Sequence, residues 1–569
     1  MVRRQRGRPG GQWRRCGVVG LRTRGVALRC RGHRRCRQRA RHLLPLRRPC
    51  IARAADGPPA KLPAPRGGRG RDLDALRRRE RGLSVLSWII FLPLVGVAAC
   101  AVLPAARGSW AKWIALGVTG ADLALAVAMV AGFAPDGGMQ FTQKTTWVAQ
   151  ADIAYSVGVD GISMPLVALS ALLCFLAVIG SWKIDKKPAF YFAMLLLLQV
   201  GMNGVFSALD FVLFYVFWEL VLVPMYFLIA QWGGPRREYA AIKFFLYTLL
   251  GSVFMLVGII ALYLQAGTFD LVELAEKGAG LPLGFQLWVF AAFFLGFAVK
   301  VPMFPLHTWL PDAHVEAPTA ASVLLAGVLL KMGTYGFLRV SLPILPDAFA
   351  QWQVPLAVLA VISIVYGAAV AFAQPDAKKL VAYSSVSHMG FAMLGIAAGT
   401  AAGLNGAMAV NVSHGLTTGM LFFMVGMIYD RTHSREIAQL SGVAAQMPII
   451  AGLLAFASFA SMGLPGLSGF VGEFLALAGA WASTAIAPWM VIVAGVGVLL
   501  GAAYMLWMLQ RVVLGTPSHL VADQPDATLR EVLTVAPLVV LVVVIGVYWT
   551  ALLQYVDPAV TALAKALGA

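Results

Sequence analysis

From Ser84 onward the chain is a succession of long apolar runs separated by short polar breaks. Their approximate centres are residues 94, 121, 172, 198, 220, 253, 297, 328, 363, 388, 416, 462, 497 and 542. A hydrocarbon core of ~30 Å takes ~20 apolar residues to cross as a helix. The pattern therefore predicts an all-α polytopic membrane protein of 14 transmembrane helices. The short alternating segments of a membrane barrel do not occur, and these runs are too long to be barrel strands.

The polar breaks set the orientation. Those after odd-numbered runs hold 14 Lys and Arg residues, among them Lys183, Arg236, Lys243, Lys378 and Arg431, against four (Lys144, Lys277, Arg339, Lys565) in the others and the C-terminal tail. Positive charge stays cytoplasmic, so both ends of the membrane body are expected to face outward.

Composition changes the picture at the N-terminus. The 569 residues are 59% hydrophobic and 13% charged, about half the charge of a soluble domain, which excludes an ordinary cytosolic enzyme. The net charge of +20 resembles a nucleic-acid footprint until it is located. Residues 1–82 contribute +22 and the remainder −2, so nucleic acid is not expected as a partner of the main body. The 1–82 segment, dense in Arg, Gly and Pro without apolar periodicity, is expected to be disordered. It is also expected not to belong to the working protein, the true start lying near Leu83. A transit peptide would be Ser-rich, yet the first Ser is Ser84. Cys30, His33 and Cys36 fit no usual zinc spacing, and Cys100 and Cys174 read as small packing residues.

Charges inside the apolar runs carry the functional signal, because an ionised group at the bilayer centre costs at least ~2.5–3.5 kcal/mol. Glu219 lies in FVLFYVFWELVLVPMYFLI, Lys300 ends AAFFLGFAVK, Lys331 lies in ASVLLAGVLLKMGTYGF, and Glu473 follows MGLPGLSGFVG. Two of these sit at breaks: Lys300 precedes Pro302 and Pro305, and Glu473 follows Gly463, Pro465, Gly466, Gly469 and Gly472. Interrupted helices at membrane depth line protein-enclosed cavities, and a matched pair points to inverted repeats. These are the seventh and twelfth spans, five apart, and an odd number of helices inverts the second copy. His388 and His414 lie in the tenth and eleventh spans and pass protons near neutral pH. Such a histidine is also often a packing residue. His307, Asp312, His314 and Glu316 form a polar stretch without the helix-spaced HExxH of a zinc site. Asp122 stands apart from these groups. A buried row of alternating Glu and Lys with His between them can load and release protons as their coupling changes. The chain has no phosphate loop, no dinucleotide motif and no metal ligand set, so the driving energy must come from an ion gradient or from partner subunits.

FAVKVPMFPLHTWLPDAHVEAPTAASVLLAGVLLKMGTYG resembles the signature of the antiporter-like subunits of respiratory complex I, supported by FYVFWELVLVPMYFLI, KKLVAYSSVSHMGF and GLPGLSGFVGEFL. The resemblance spans essentially residues 84–569 and is nearest to the M-chain type, the counterpart of mitochondrial subunit 4. It implies two inverted five-helix repeats, roughly 188–340 and 354–512, with discontinuous seventh and twelfth helices. It also implies that Glu219 and Lys300 are a coupled pair, Lys331 a central relay and Glu473 a terminal relay, with His388 and His414 on the hydrophilic axis. Sister L and N chains and antiporter relatives typically carry Lys where this chain has Glu473. By the same resemblance NADH, FMN, iron–sulfur clusters and quinone belong to partner subunits, with no cofactor or metal here. The partners would be the L and N chains, small membrane subunits, lipid and protons, in a bacterial plasma membrane. Competing readings are a cation/proton antiporter subunit and a membrane anchor of a hydrogenase complex.

Overall fold

The computed structural model describes residues 69–135 and 138–568, with side chains from Val85 on apart from 105 and 106. The expectations for residues 1–68, including the Cys30–His33–Cys36 stretch, fall outside the described residues. The described chain is mostly helical, with 11 helices long and apolar enough to cross a membrane and four shorter apolar ones.

In chain order it begins with α1 (Arg69–Ala101), α2 (Ala111–Gly132), a hairpin β1 (Gln140–Val148) and β2 (Ile153–Val159), α3 (Met164–Gly180) and α4 (Pro188–Ser207). Then come α5 (Phe211–Leu220), α6 (Leu222–Trp232), α7 (Arg237–Ala266), the short α8 (Leu271–Lys277), α9 (Leu283–Lys300) and α10 (Trp309–Glu316). The second part holds α11 (Thr319–Ile344), α12 (Pro346–Phe372), α13 (Ala377–Ala398) and α14 (Ala401–Thr432). It closes with α15 (Pro448–Ser461), α16 (Ser468–Ala482), α17 (Pro488–Val512), α18 (Leu529–Val547) and α19 (Thr550–Ala566).

Burial divides these helices into two kinds. α11, α13 and α14 are enclosed almost completely, whereas α2, α7, α17 and α18 leave most of their surface outward, and those outward residues are apolar (Leu250, Leu264, Leu499, Val547). Apolar outer faces suit lipid, and a helix that must carry polar groups survives only inside. The inner helices are the ones bearing Lys331, His388 and His414. They can approach closely because glycines meet backbone: a Cβ at Gly472 would fall on Val410, and one at Gly406 on Ala476.

Three helix interruptions come at membrane depth. α9 stops at Lys300 and resumes as α10 after turns holding Pro302 and Pro305, and α15 stops at Ser461 before α16 resumes at Ser468. α5 and α6 part at Val221, where Pro224 cannot donate to the carbonyl of Leu220. α11 has two π-helical turns, Leu325–Leu329 and Phe337–Ser341, the first immediately before Lys331.

The structure adds two elements and corrects two expectations. The mostly helical fold also carries one hairpin: β1 and β2 pair antiparallel, with Lys144 opposite Ser156, β1 exposed from Lys144 to Val148 and β2 largely buried. Such a half-exposed hairpin leaves no long apolar run to notice. Bridges Val157–Ala208 and Asp210–Asp270 and the Lys144–Asp270 ion pair (2.7 Å) bind it to the neighbouring loops. The chain also continues past its last span as α19, which buries Leu552, Val556, Val560 and Leu563 on one side, spaced as an amphipathic helix. Helix α1 begins at Arg69, so the end of the Arg-rich segment is helical; LDALRRRER is made of good helix formers. Finally, Arg339 is not a loop residue. It lies in α11 and forms a buried ion pair with Asp160, its Nε also reaching the Tyr335 hydroxyl at 3.3 Å.

Asp160 precedes α3 and accepts from the backbone of Ile162 (3.0 Å) and Ser163 (3.1 Å). Burial pushes its carboxyl upward, but the Arg339 charge and these hydrogen bonds outweigh that and hold it below the usual carboxylate range. A depressed carboxylate contributes stability above the unfolded pKa of about 3.9, and that stability is lost as pH falls through the folded value. Arg339→Met should strand Asp160 and lower stability by about 3–5 kcal/mol. The expected result is an earlier thermal loss of the chain from purified membranes; unchanged melting would contradict it.

Candidate functional site

The predicted residues separate into two groups. At the first, Lys300 ends α9 with its ammonium buried, and among the described residues it has no hydrogen-bond partner. It lies 5.6 Å from the Trp218 ring centre and 5.7 Å from that of Phe244, contacts that stabilise a cation without taking its protons. Glu219, next to Trp218 at the α5–α6 joint, is the acid whose charge reaches Lys300, and its Oε1 also lacks a partner. Neither belongs to any ion pair within 4 Å among the described residues.

The second group is contiguous. Lys331 Nζ donates to the carbonyl of Ala326, left available by the π turn, and meets His414 Nδ1 at 2.6 Å. His414 and His388 have ring centres 5.7 Å apart. A cavity of about 10 Å³, the size of roughly one water, is lined by both rings together with Ser413, Thr417, Ser461 and Glu473. His388 Nδ1 then meets Glu473 Oε1 at 2.7 Å. Lys331, His414, His388 and Glu473 thus form a buried file of titratable groups across α11, α14, α13 and α16.

Two residues in this file had not been singled out. Ser461, at the end of α15, lies 3.1 Å from His388 Nε2, and the Tyr504 hydroxyl of α17 lies 3.4 Å from the same nitrogen. They orient the ring so that Nδ1 faces Glu473. A tyrosine inside the apolar run of α17 was the available signal.

The polar stretch after the seventh run splits. Asp312 pairs with Arg236 (3.1 Å) and Lys243 (2.7 Å), and Glu316 accepts from the backbone of Arg236, so the two acids secure the loops. His307 and His314 point inward, both buried without hydrogen-bond partners among the described residues, His314 stacked on Phe422 at 4.6 Å. No group of three or more His, Cys, Asp or Glu residues that could hold a metal occurs among the described residues. At the end of the bundle opposite the hairpin, a cavity of about 500 Å³ is lined by Lys183, Glu316, Lys378, Asp430, Arg435 and Glu531.

Residues 208–501 match the family described as "NADH:quinone oxidoreductase/Mrp antiporter, TM", and residues 137–203 match "NADH-ubiquinone oxidoreductase chain 4, amino terminus". The chain is 45% identical over 504 residues to NADH-quinone oxidoreductase subunit M of Rhodobacter capsulatus, covering 85% of this chain and 96% of that protein. A chain of respiratory complex I from Thermus thermophilus superposes with a TM-score of 0.78 at 33% identity, covering 85% of this chain and 100% of that one. A chain of the Mrp complex from Dietzia shares the fold, with a TM-score of 0.75 at 22% identity over 85% of this chain and 99% of its own. The protein is accordingly a multi-pass membrane protein, and it belongs to the NADH-quinone oxidoreductase subunit M family.

Proposed function

We propose that this chain is a proton-translocating membrane-arm subunit of an NADH:quinone oxidoreductase, and that the buried groups from Glu219 to Glu473 are its proton path. The observation that carries the reading is the buried file Lys331–His414–His388–Glu473, hydrogen-bonded at both ends with the two rings 5.7 Å apart between them. In it Lys331 holds a proton that His414 can accept, because its Nδ1 is already in hydrogen-bond contact. The proton passes between the two rings through the small cavity, and His388 delivers it to Glu473. Lys300, held by ring faces and by the charge of Glu219 alone, is the group most easily recharged, so Glu219 and Lys300 act as the electrostatic trigger on Lys331.

On this reading the interrupted pairs α9–α10 and α15–α16 are the seventh and twelfth of 14 spans, formed by joining α5 with α6 and α15 with α16 and counting α1 and α3. The two five-helix repeats, roughly 188–340 and 354–512, are related by inversion. The 500 Å³ cavity is the cytoplasmic intake, since Lys183, Lys378 and Arg435 in its lining come from the Lys- and Arg-rich breaks, and the hairpin and α19 face outward. NADH oxidation, its FMN and iron–sulfur chemistry, and quinone reduction belong to partner subunits. The L and N chains and small membrane subunits are the neighbours, in a bacterial plasma membrane. Residues 1–82 are assigned no part in this work.

Lys331→Met tests the path. It removes the proton carrier and leaves His414 Nδ1 without its partner, so NADH-driven acidification of inside-out vesicles should fall by about tenfold or more. Wild-type pumping in an assembled variant would refute the path.

A further inference from the structure

Asp122 belongs to neither group above. It lies on α2, wholly buried, and is reached by two carboxamides one turn apart on α4: Gln199 Nε2 at 2.5 Å and Asn203 Nδ2 at 3.3 Å. Both donate to the same oxygen, Oδ2, and Asn203 Nδ2 also donates to the Ile89 carbonyl at 2.9 Å. Asp122 Oδ1, Gln199 Oε1 and Asn203 Oδ1, all buried, have no partner among the described residues. No Lys, Arg or His forms an ion pair with Asp122 among the described residues, whose ion pairs lie elsewhere. Among the side chains described, from Val85 on, the titratable groups on the helices packed against α2 are Cys174 on α3, Cys100 on α1 and Tyr191 on α4, none of which brings positive charge.

We propose that Asp122, Gln199 and Asn203 form a proton-binding site separate from the Lys331–Glu473 file. An ionised carboxylate without a cation is unfavourable inside a membrane protein, and taking up a proton removes the charge. The neutral acid then needs an acceptor where the carboxylate needed donors. A carboxamide supplies both, since half a turn about its terminal bond exchanges N–H for C=O. An arginine here would hold the carboxylate ionised, and leucines would hold the acid neutral. Two carboxamides allow either state, and the oxygens now without partners are the acceptors the protonated form uses. The site lies one helix behind the Glu219 joint: the other face of α4 presents Gly201 and Gly204 to Val221 and Phe217. A change of charge at Asp122 therefore takes place next to the backbone that carries Glu219.

The test is infrared difference spectroscopy of the purified, assembled complex through a pH step, reading the C=O stretch of protonated carboxyls. The wild type should show a band that disappears in Asp122→Asn, which keeps the shape and hydrogen bonding but cannot titrate. Asn203→Leu, which removes one partner and retains the acid, should shift that band, and it decides the matter if Asp122→Asn does not assemble. Spectra identical to wild type in the variants that assemble would overturn the proposal. So would a band abolished by adding sodium chloride at constant pH, because the oxygens would then hold a metal ion and not a proton.

Discussion

Lys300→Ala and Glu219→Ala should each lower NADH:quinone turnover and coupled proton pumping by about tenfold or more, toward the 10²-fold commonly lost with a positioned acid–base group, while the complex still assembles. The second half of that expectation comes from the local geometry. Lys300 Nζ and Glu219 Oε1 have no hydrogen-bond partners among the described residues, so truncating Lys300 breaks no hydrogen bond and truncating Glu219 gives up only its contact with the Tyr215 hydroxyl. Removing one member of a buried, bonded pair would cost several kcal/mol and confuse a stability defect with a functional one. Here the loss is of charge, apart from the ring contacts of Lys300 with Trp218 and Phe244 and the Tyr215 hydroxyl beside Glu219. Lys300→Arg separates charge from titration. It keeps a cation over the rings but cannot give up its proton, so it should assemble and remain slow. Normal turnover in Lys300→Ala or Glu219→Ala membranes would sever this pair from the path.

The difference between these residues and the file beyond them explains how much could be read from the chain. A charge in an apolar run is conspicuous because lipid forbids it, so Glu219, Lys300, Lys331 and Glu473 were legible one by one. The breaks beside Lys300 and Glu473 were legible for a related reason: Pro302, Pro305 and the glycines from Gly463 to Gly472 cannot continue a helix. Which of these groups touch was not legible. The Lys331–His414 contact depends on helices 83 residues apart in sequence, and the approach of α14 to α16 depends on glycines that look like any others in a glycine-rich membrane chain. Sequence order suggested one continuous row, whereas Lys300 and Lys331 have no direct hydrogen bond among those described, and the histidines connect only the later part. Asp160 and Arg339 escaped notice because they are 179 residues apart and each reads as an ordinary loop charge. The hairpin and α19 were missed because both are half exposed at the bundle surface, where neither a long apolar run nor a buried charge marks them.

Glu473→Ala and Glu473→Lys should differ sharply, and the reason lies elsewhere in the same file. In the wild type His388 Nδ1 meets a carboxylate, while its Nε2 faces Ser461 and Tyr504. Alanine removes the proton acceptor and leaves a buried imidazole nitrogen unpaired, a cost of about 1–3 kcal/mol on top of the lost function. Lysine reverses the charge, yet this interior already holds a lysine against a histidine Nδ1 at 2.6 Å, in the Lys331–His414 pair. A lysine at 473 reproduces that pairing with His388, and with its proton in hand it can still discharge outward. Glu473→Ala should therefore lose pumping by about tenfold or more, and Glu473→Lys should retain a measurable fraction of it in the same vesicles. The lysine variant should also alter the pH profile, because an ammonium and a carboxylate release their protons over different ranges. Equal and complete loss in both variants would mean that the carboxylate itself is required. The file would then end at a group with a specific charge, and not at any group that can take a proton from His388.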